Sequence, residues 1–379
     1  MARRVAPAPE MEAMTLPKSM RAWTFTSAGL PKDVLEFQAE AAMPALPTAR
    51  SVLIRVSHVA LHPGSLIMMN LVPRFFRKFP ATAETDFSGT VVAAGDDVAT
   101  APADLTDERS FPIGSAVFGT IPVATHLKGS GALAEYLVVD VDSIAKKPGR
   151  AAMDEAAGLA ISAATALDVV DMADITEAQS VLVNAPCGGV GSFVTQLVRS
   201  KVGPNGRVVG VCSTSSSALA MNLGCDETVE YDARPDGQSL VEFYKGLRGR
   251  HDLFDAIVDC HGSQDLWCSS PLLLKSGPLH HYATVGPKFT SYSLTGVLVT
   301  VWQMLRNMVT PVWAGGVDRS YRQAASFVDA EKLKRIADLV DGGIMKTYVG
   351  GSWRFEDALE AYEVGLRGHA KGKLLIKVE

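Results

Sequence analysis

The segment Val181-Leu182-Val183-Asn184-Ala185-Pro186-Cys187-Gly188-Gly189-Val190-Gly191 constrains the fold more than any other part of the chain. An apolar run with strand character breaks into a glycine-rich turn, and a helix-like stretch, Ser192 to Lys201, follows. A backbone approaches a pyrophosphate closely only where side chains are absent. The helix N-terminus beyond such a turn offers free N–H groups and the positive end of a dipole. The spacing is A-x-x-G-x-x-G over Ala185, Gly188 and Gly191 rather than strict G-x-G-x-x-G. Set between strand and helix, it predicts a dinucleotide site.

Strands alternate with helices around this loop. An Ala-rich helix is expected over Met153 to Met172, then strand 181–185, helix 192–201, strand Val208–Val211, helix Ser216–Leu223 and strand Glu227–Tyr231. Helix Leu240–Leu247, strand Ala256–Cys260, a helical stretch near Asp265–Leu274 and strand His280–Val285 continue the pattern. That alternation predicts a parallel, doubly wound (Rossmann) sheet. Residues 21–25, 51–59, 86–94, 115–119 and 133–139 read instead as short strands punctuated by Pro and Gly, mostly antiparallel and barrel-like. A helix from Phe355 to Val364 and a strand from Lys373 to Val378 close the chain. The expected fold class is α/β with a discontinuous β-rich domain. Its divisions are a disordered tail (1–18), a β-rich domain (19–150), a dinucleotide-binding domain (151–343) and a return to the first domain (344–379). Residues 96–112, acidic with two prolines, read as a surface loop.

Composition narrows the function classes. At 379 residues the chain is too long for one ordinary core. A net charge of −5 and the absence of any Lys/Arg stripe exclude a nucleic-acid footprint. All five cysteines fall between residues 187 and 268 without a C-x-x-C pair, which predicts reduced thiols. Residues 1–18 have no apolar h-region, and their two glutamates do not suit a mitochondrial presequence. The expected location is the cytoplasm, with a lipid-droplet surface and the mitochondrion as alternatives.

Four segments resemble the medium-chain dehydrogenase/reductase superfamily, specifically its zinc-free quinone-oxidoreductase-like branch, with likeness to fungal enoyl and quinone reductases. Asp86-Phe87-Ser88-Gly89-Thr90-Val91-Val92 is similar to that family's DFSG-x-V strand, and Val181 to Gly191 to its cofactor loop. Leu223-Gly224-Cys225-Asp226-Glu227, with Tyr231, resembles its LGADEVIDY segment, and Gly368 to Val378 its closing GKVVIKV strand. The resemblance implies that the β-rich domain is GroES-like. It also implies that Thr165 lies beside the nicotinamide, and that Tyr231, Cys260-His261-Gly262, Gly286 and Lys373 border the cofactor. Cys187 and Cys260 are expected to be small packing residues.

Zinc members of the superfamily place ligands where this chain has His62, Thr85-Asp86 and the Ala160-Ile161 linker, and residues 1–186 contain no cysteine. One imidazole cannot hold a metal that takes at least three protein ligands, so no zinc is expected. The second strand ends in Val211-Cys212-Ser213-Thr214-Ser215-Ser216-Ser217, without the carboxylate that accepts from an NAD ribose. Ser213 and Thr214 could hydrogen-bond a 2′-phosphate, or could simply cap the next helix. NADPH is therefore the expected cofactor, with Ala185, Cys187, Gly188, Gly189, Val190 and Gly191 as its loop. No Arg or Lys lies between Arg207 and Arg234, so a cation for that phosphate must come from elsewhere.

Without a metal Lewis acid, hydride best suits an acceptor with its own electron sink, a quinone or the activated C=C of an α,β-unsaturated carbonyl. The family's N-P-x-D motif stands here as His62-Pro63-Gly64-Ser65, so His62 is the candidate proton donor, or a structural histidine beside a proline turn. The rival reading is a cofactor-binding scaffold or lipid-surface protein with little turnover. Leu294, Val297, Leu298, Val301, Trp302, Leu305 and Met308 follow helical spacing opposite Thr300, Gln303, Arg306 and Asn307. This amphipathic helix is expected to line the pocket or a subunit contact, with a lipid surface as the minor alternative; the protein is a monomer or homodimer.

Overall fold

The computed structural model describes residues 16–99, 110–247, 252–288, 291 and 293–379. Most of the tail expected over 1–18, and residues 100–109 of the loop expected over 96–112, lie outside the described residues; Asp96–Ala99 form a short helix.

The β-rich part is built from β1 (Ser19–Phe25), β2 (Glu36–Ala42), β3 (Ser51–Ala60), β4 (Ala81–Thr82), β5 (Asp86–Ala94), β6 (Ala116–Thr120), β7 (Tyr136–Asp140) and β8 (Ile144–Lys146). Strands β2-β1-β4 form a small antiparallel sheet, and β3, β5, β6 and β8 form the body of a seven-stranded one, with β7 paired to β3. Trp23, Phe25, Ile54, Val56, Phe87 and Val91 meet in the core between these sheets.

The second part contains β9 (Ser180–Asn184), β10 (Arg207–Cys212), β11 (Glu227–Glu230), β12 (Ala256–Asp259), β13 (His281–Thr284) and β14 (Ser320–Gln323). All pair in parallel, in the order β11-β10-β9-β12-β13-β14. Val181, Leu182 and Val183 are fully buried, because helices cover both faces of the sheet. Strand order reverses beside β9, which opens a crevice at the carboxyl ends of the strands. This is the Rossmann arrangement expected from the sequence.

Strand β14 and helix Ala330–Asp341 were not among the sequence expectations. The strand sequence Ser-Tyr-Arg-Gln has no apolar run, and only pairing with β13 extends it. The helix did carry a signal, since Leu333, Ile336 and Val340 recur on one buried face. The helix expected over 153–172 is two helices, Met153–Ala157 and Ala160–Met172. A Cβ on Gly158, between them, would lie 2.8 Å from Thr347 Cγ2 and 3.0 Å from Lys373 Cγ. The chain bends there to let the Lys373 stem pass.

The carboxyl-terminal residues return to the first sheet. Strand β15 (Val349–Arg354) pairs in parallel with β16 (Lys373–Lys377), which lies antiparallel to β3. The two glycines of Val349-Gly350-Gly351-Ser352-Trp353-Arg354 hid β15 from a propensity reading.

At the crevice, Asp259 ends β12. Its carboxylate accepts from Asn184 Nδ2 (2.8 Å), the amides of His261, Gly262 and Ser263 (2.9, 3.1 and 2.6 Å) and Tyr282 Oη (2.6 Å). It therefore locks β9, β12 and β13 at the end where a ligand would bind. Asp259→Ala removes the acceptor these five donors share, leaving only Tyr282 Oη a second one in Ser263 O (3.3 Å), and should lower the unfolding free energy by about 3 kcal/mol or more; urea denaturation measures it, and a loss below about 1 kcal/mol would contradict this role.

Candidate functional site

The glycine loop closes through an unusual residue. Ala185 takes the left-handed conformation, φ +58°, which turns its carbonyl to accept from Gly188 N. Each glycine serves a different need. A Cβ on Gly191 would lie 1.9 Å from Ala185 O, so this position permits no side chain. At Gly188 the nearest atom would be 3.7 Å away, so a side chain there would stand in open space above the loop. The amides of Gly189, Val190 and Gly191 donate to no protein acceptor among the described residues, at the N-terminus of helix Gly191–Val202. This cradle fits a dinucleotide pyrophosphate. Cys187 Sγ donates to Ser216 O, and burial pushes its thiol up to about 11, so Cys187 packs rather than reacts. Burial also holds the Cys260 thiol well above its ordinary value.

The carboxyl-terminal return lies over the loop. Gly372 N donates to Cys187 O (2.8 Å), and a Cβ on Gly189 would meet Lys373 Cδ at 3.5 Å. Lys373 is buried, and its Nζ donates to Leu61 O (3.2 Å) and Ser162 Oγ (2.9 Å). Burial lowers its pKa, while the carboxyls of Asp86 and Glu84 oppose that shift. Thr165 Oγ1 donates to Ile161 O, which leaves the hydroxyl an acceptor. Gly286 adopts φ +100° at the end of β13.

Near β10, the Ser213 hydroxyl contacts those of Ser215 and Ser216. Sequence reading found no carboxylate within 211–217, but the fold supplies one from beyond β11. Asp232 Oδ1 accepts from both Thr214 N and Thr214 Oγ1 (2.8 Å each). The fold also supplies the cation missing between Arg207 and Arg234: Lys371 Nζ donates to Ser215 O (2.5 Å). Tyr231 Oη lies 3.4 Å from His369 Nδ1 on the same return segment. Neither Lys371 nor Asp232 had a signal in the sequence, because both reach this corner across the fold.

His62 ends β3's exit and caps helix Pro63–Leu71. Its Nδ1 accepts from Gly64 N (2.9 Å), which places the ring proton on Nε2, donating to Thr85 Oγ1 (3.1 Å). A Cβ on Gly64 would lie 2.4 Å from His62 Cε1, so the cap requires glycine there. Burial, then the nearby Lys373 and His126, push the His62 pKa down to about 3, so the ring is neutral. Asp86 Oδ2 accepts from Ile161 N (3.1 Å). Burial raises Asp86 to about 6, against the pull of Lys373. Two of the three positions where the resemblance places zinc ligands, His62 and Asp86, are thus engaged within the protein, and no group of three or more His, Cys, Asp or Glu among the described residues could hold a metal ion. The donor set does not fit zinc.

Glu84, which the sequence reading passed over, is fully buried at φ +59° with Tyr362 Oη donating to it at 2.7 Å, while Oε2 has no partner. A buried carboxyl in a left-handed conformation costs stability on both counts.

Comparison with known proteins places the chain. Residues 48–149 match the alcohol dehydrogenase GroES-like domain, and residues 223–376 match the zinc-binding dehydrogenase model. The chain is 31% identical to the medium chain reductase pydE of an Acremonium species, over 95% of this chain and 99% of that protein. It is 27% identical to the trans-enoyl reductase poxH of Penicillium oxalicum, over 97% and 100%. It is 26% identical to the mouse mitochondrial NAD(P)H oxidoreductase RTN4IP1, over 99% and 94%. The quinone oxidoreductase of Coxiella burnetii shares the fold, with a TM-score of 0.69 at 23% identity over 96% of this chain and all of that one. The chain belongs to the medium-chain dehydrogenase/reductase superfamily. It is an oxidoreductase, with the Rossmann and GroES-like architecture of that superfamily.

Glu84 yields a pH test. Its carboxyl ionises near 4.5 in a free chain but is pushed up to about 7 in the fold, by burial first. A raised carboxyl favours the folded state below 4.5 and loses that advantage as pH rises to 7, by about 3 kcal/mol. Glu84→Gln removes this titration but keeps an acceptor for Tyr362. The stability of E84Q relative to wild type should therefore rise by about that amount between pH 4.5 and 7, measured by denaturant titration; a constant difference would contradict the assignment.

Proposed function

We propose that the protein is a zinc-independent, NADPH-dependent reductase of quinones or of the activated C=C of α,β-unsaturated carbonyls. The observation that carries this reading is the neutral, hydrogen-bonded His62–Thr85 pair standing where zinc relatives hold their metal, beside a glycine cradle suited to a dinucleotide. A reduced nicotinamide bound in that crevice supplies hydride. The protein's own part is positioning, exclusion of water and donation to the oxygen that gains charge.

The cofactor contacts in this reading are Thr165, the loop Ala185 to Gly191, Ser213, Thr214, Tyr231, Gly286 and Lys373. Lys371 and the Ser213–Ser215 hydroxyls favour a 2′-phosphate. One oxygen of the Asp232 carboxylate, Oδ1, is taken up by Thr214. His62 is a neutral imidazole at a helix N-terminus, and its Nε2–H, which rests on Thr85 Oγ1 in the free protein, is handed to the developing oxyanion when substrate takes the place of that hydroxyl, a use of neutral histidine known in enolising enzymes. An apolar acceptor with its own electron sink needs no stronger acid at the first step.

Four outcomes follow. NADPH should bind about tenfold or more tightly than NADH, and Lys371→Ala should erase most of that difference; equal affinities would overturn the cofactor choice. NADPH oxidation should be stimulated by a panel of quinones and enones, and tight binding without turnover would instead support a scaffold. Gly188→Val should leave stability within about 0.5 kcal/mol while abolishing NADPH binding, whereas Gly191→Val should unfold the loop. His62→Gln, which retains a neutral N–H donor, should keep kcat within about tenfold, and His62→Phe should lose about 100-fold; similar losses in both variants would remove His62 from the chemistry.

A further inference from the structure

Helix Leu294–Val309 follows β13 and rests on the carboxyl-terminal side of the sheet, where Asn307 and Gln264 exchange side-chain hydrogen bonds (3.0 and 3.1 Å). It packs the wrong way round for a core helix. Its inward stripe is Gly296, Thr300, Gln303 and Asn307, with Thr300 fully enclosed and bonded back to Gly296 O. Its apolar residues point outward. Between residues 298 and 313 nine large apolar side chains are exposed, with Trp302 at 67% and Trp313 at 90%. The apolar face expected to line the pocket or a subunit contact is left exposed, and the polar stripe is the one that packs against the protein. A contiguous exposed apolar face of this size marks an interaction surface.

The charge around it selects the occupant. From Leu266 to Val317 the chain has no Asp or Glu, although its net charge is −5. The cations in that stretch include Lys288 and Arg306, both exposed and in no ion pair among the described residues. A second copy related by a twofold axis would bring this same face against itself. Both copies' Arg306 would then enter one interface with no carboxylate of the segment to pair them. A surface of anionic lipid headgroups over acyl chains complements both features, since it takes apolar side chains and tryptophans at the interface and attracts the flanking cations. No helix among the described residues is long and apolar enough to cross a membrane, so the contact is with the surface alone.

We propose that the outward face of helix Leu294–Val309, extended by Trp313, seats this protein on an anionic lipid surface. The inverted amphipathicity follows directly: the polar stripe bolts the helix to the Rossmann sheet, and the apolar stripe enters the acyl boundary. Docking does not depend on which substrate the enzyme reduces.

The test is co-sedimentation of the full-length protein with phosphatidylcholine vesicles, with and without phosphatidylserine. Wild type should bind the anionic vesicles with a blue shift of tryptophan emission. The W302E/L305E double variant should bind about tenfold or more weakly, and added salt should weaken the wild-type binding. NADPH binding by the variant, equal to wild type, verifies that it is folded. Wild type remaining in the supernatant with anionic vesicles, or equal binding by the variant, overturns the proposal. So does a wild-type dimer in sedimentation velocity that W302E/L305E dissociates, because the face is then covered by a second copy.

Discussion

The buried ammonium of Lys373 holds the two halves of the site together. Its stem crosses Gly158 and Gly189, and its Nζ joins Leu61 at the end of β3 to Ser162 in the linking helix. A cation removed from water costs several kcal/mol unless it is compensated. Here two neutral acceptors and the nearby Asp86 and Glu84 carboxyls supply that compensation. The glycine loop, the exit of β3 and the carboxyl-terminal strand consequently cannot move apart without stranding the charge. The cofactor crevice inherits its shape from that constraint.

The same charge organises the acids and the imidazole beside it. Burial, reinforced by Lys373, keeps His62 from protonating, and Lys373 restrains the rise of the Asp86 pKa that burial causes, so the cluster contains a neutral ring and one restrained acid. Burial then sets Glu84 apart as the carboxyl most strongly held in its neutral form. Relatives that use zinc place charge at this point through a metal. Here a hydrogen-bonded network occupies the position, and this is the ground for proposing an acceptor able to delocalise its own developing charge.

Much of the fold was legible from local pattern. The glycine loop, the alternation from Met153 to Val285 and the closing strand all follow from periodicities of a few residues, which side-chain burial enforces. What escaped was non-local. Strand β14 exists because β13 offers it an edge. Asp232 and Lys371 meet the Ser213 turn at Thr214 and at Ser215 O, although neither lies near it in sequence. The spacing of helix Leu294–Val309 was read correctly, yet the direction its apolar face points was not readable, since amphipathicity says that a helix has two faces and not which of them a neighbour covers.

The sequence alone determined the class: a Rossmann sheet with a glycine cradle, a β-rich partner domain, and metal positions filled by His62, Thr85 and Asp86. These depend on residue type at fixed spacing, and spacing survives in a string of letters. Tertiary structure decided the electrostatics. The neutrality of His62, the raised carboxyls of Glu84 and Asp86, the cation at Ser215 and the outward apolar helix all depend on which groups approach through space and how much water they displace. Those quantities belong to the packed molecule and to no segment of it.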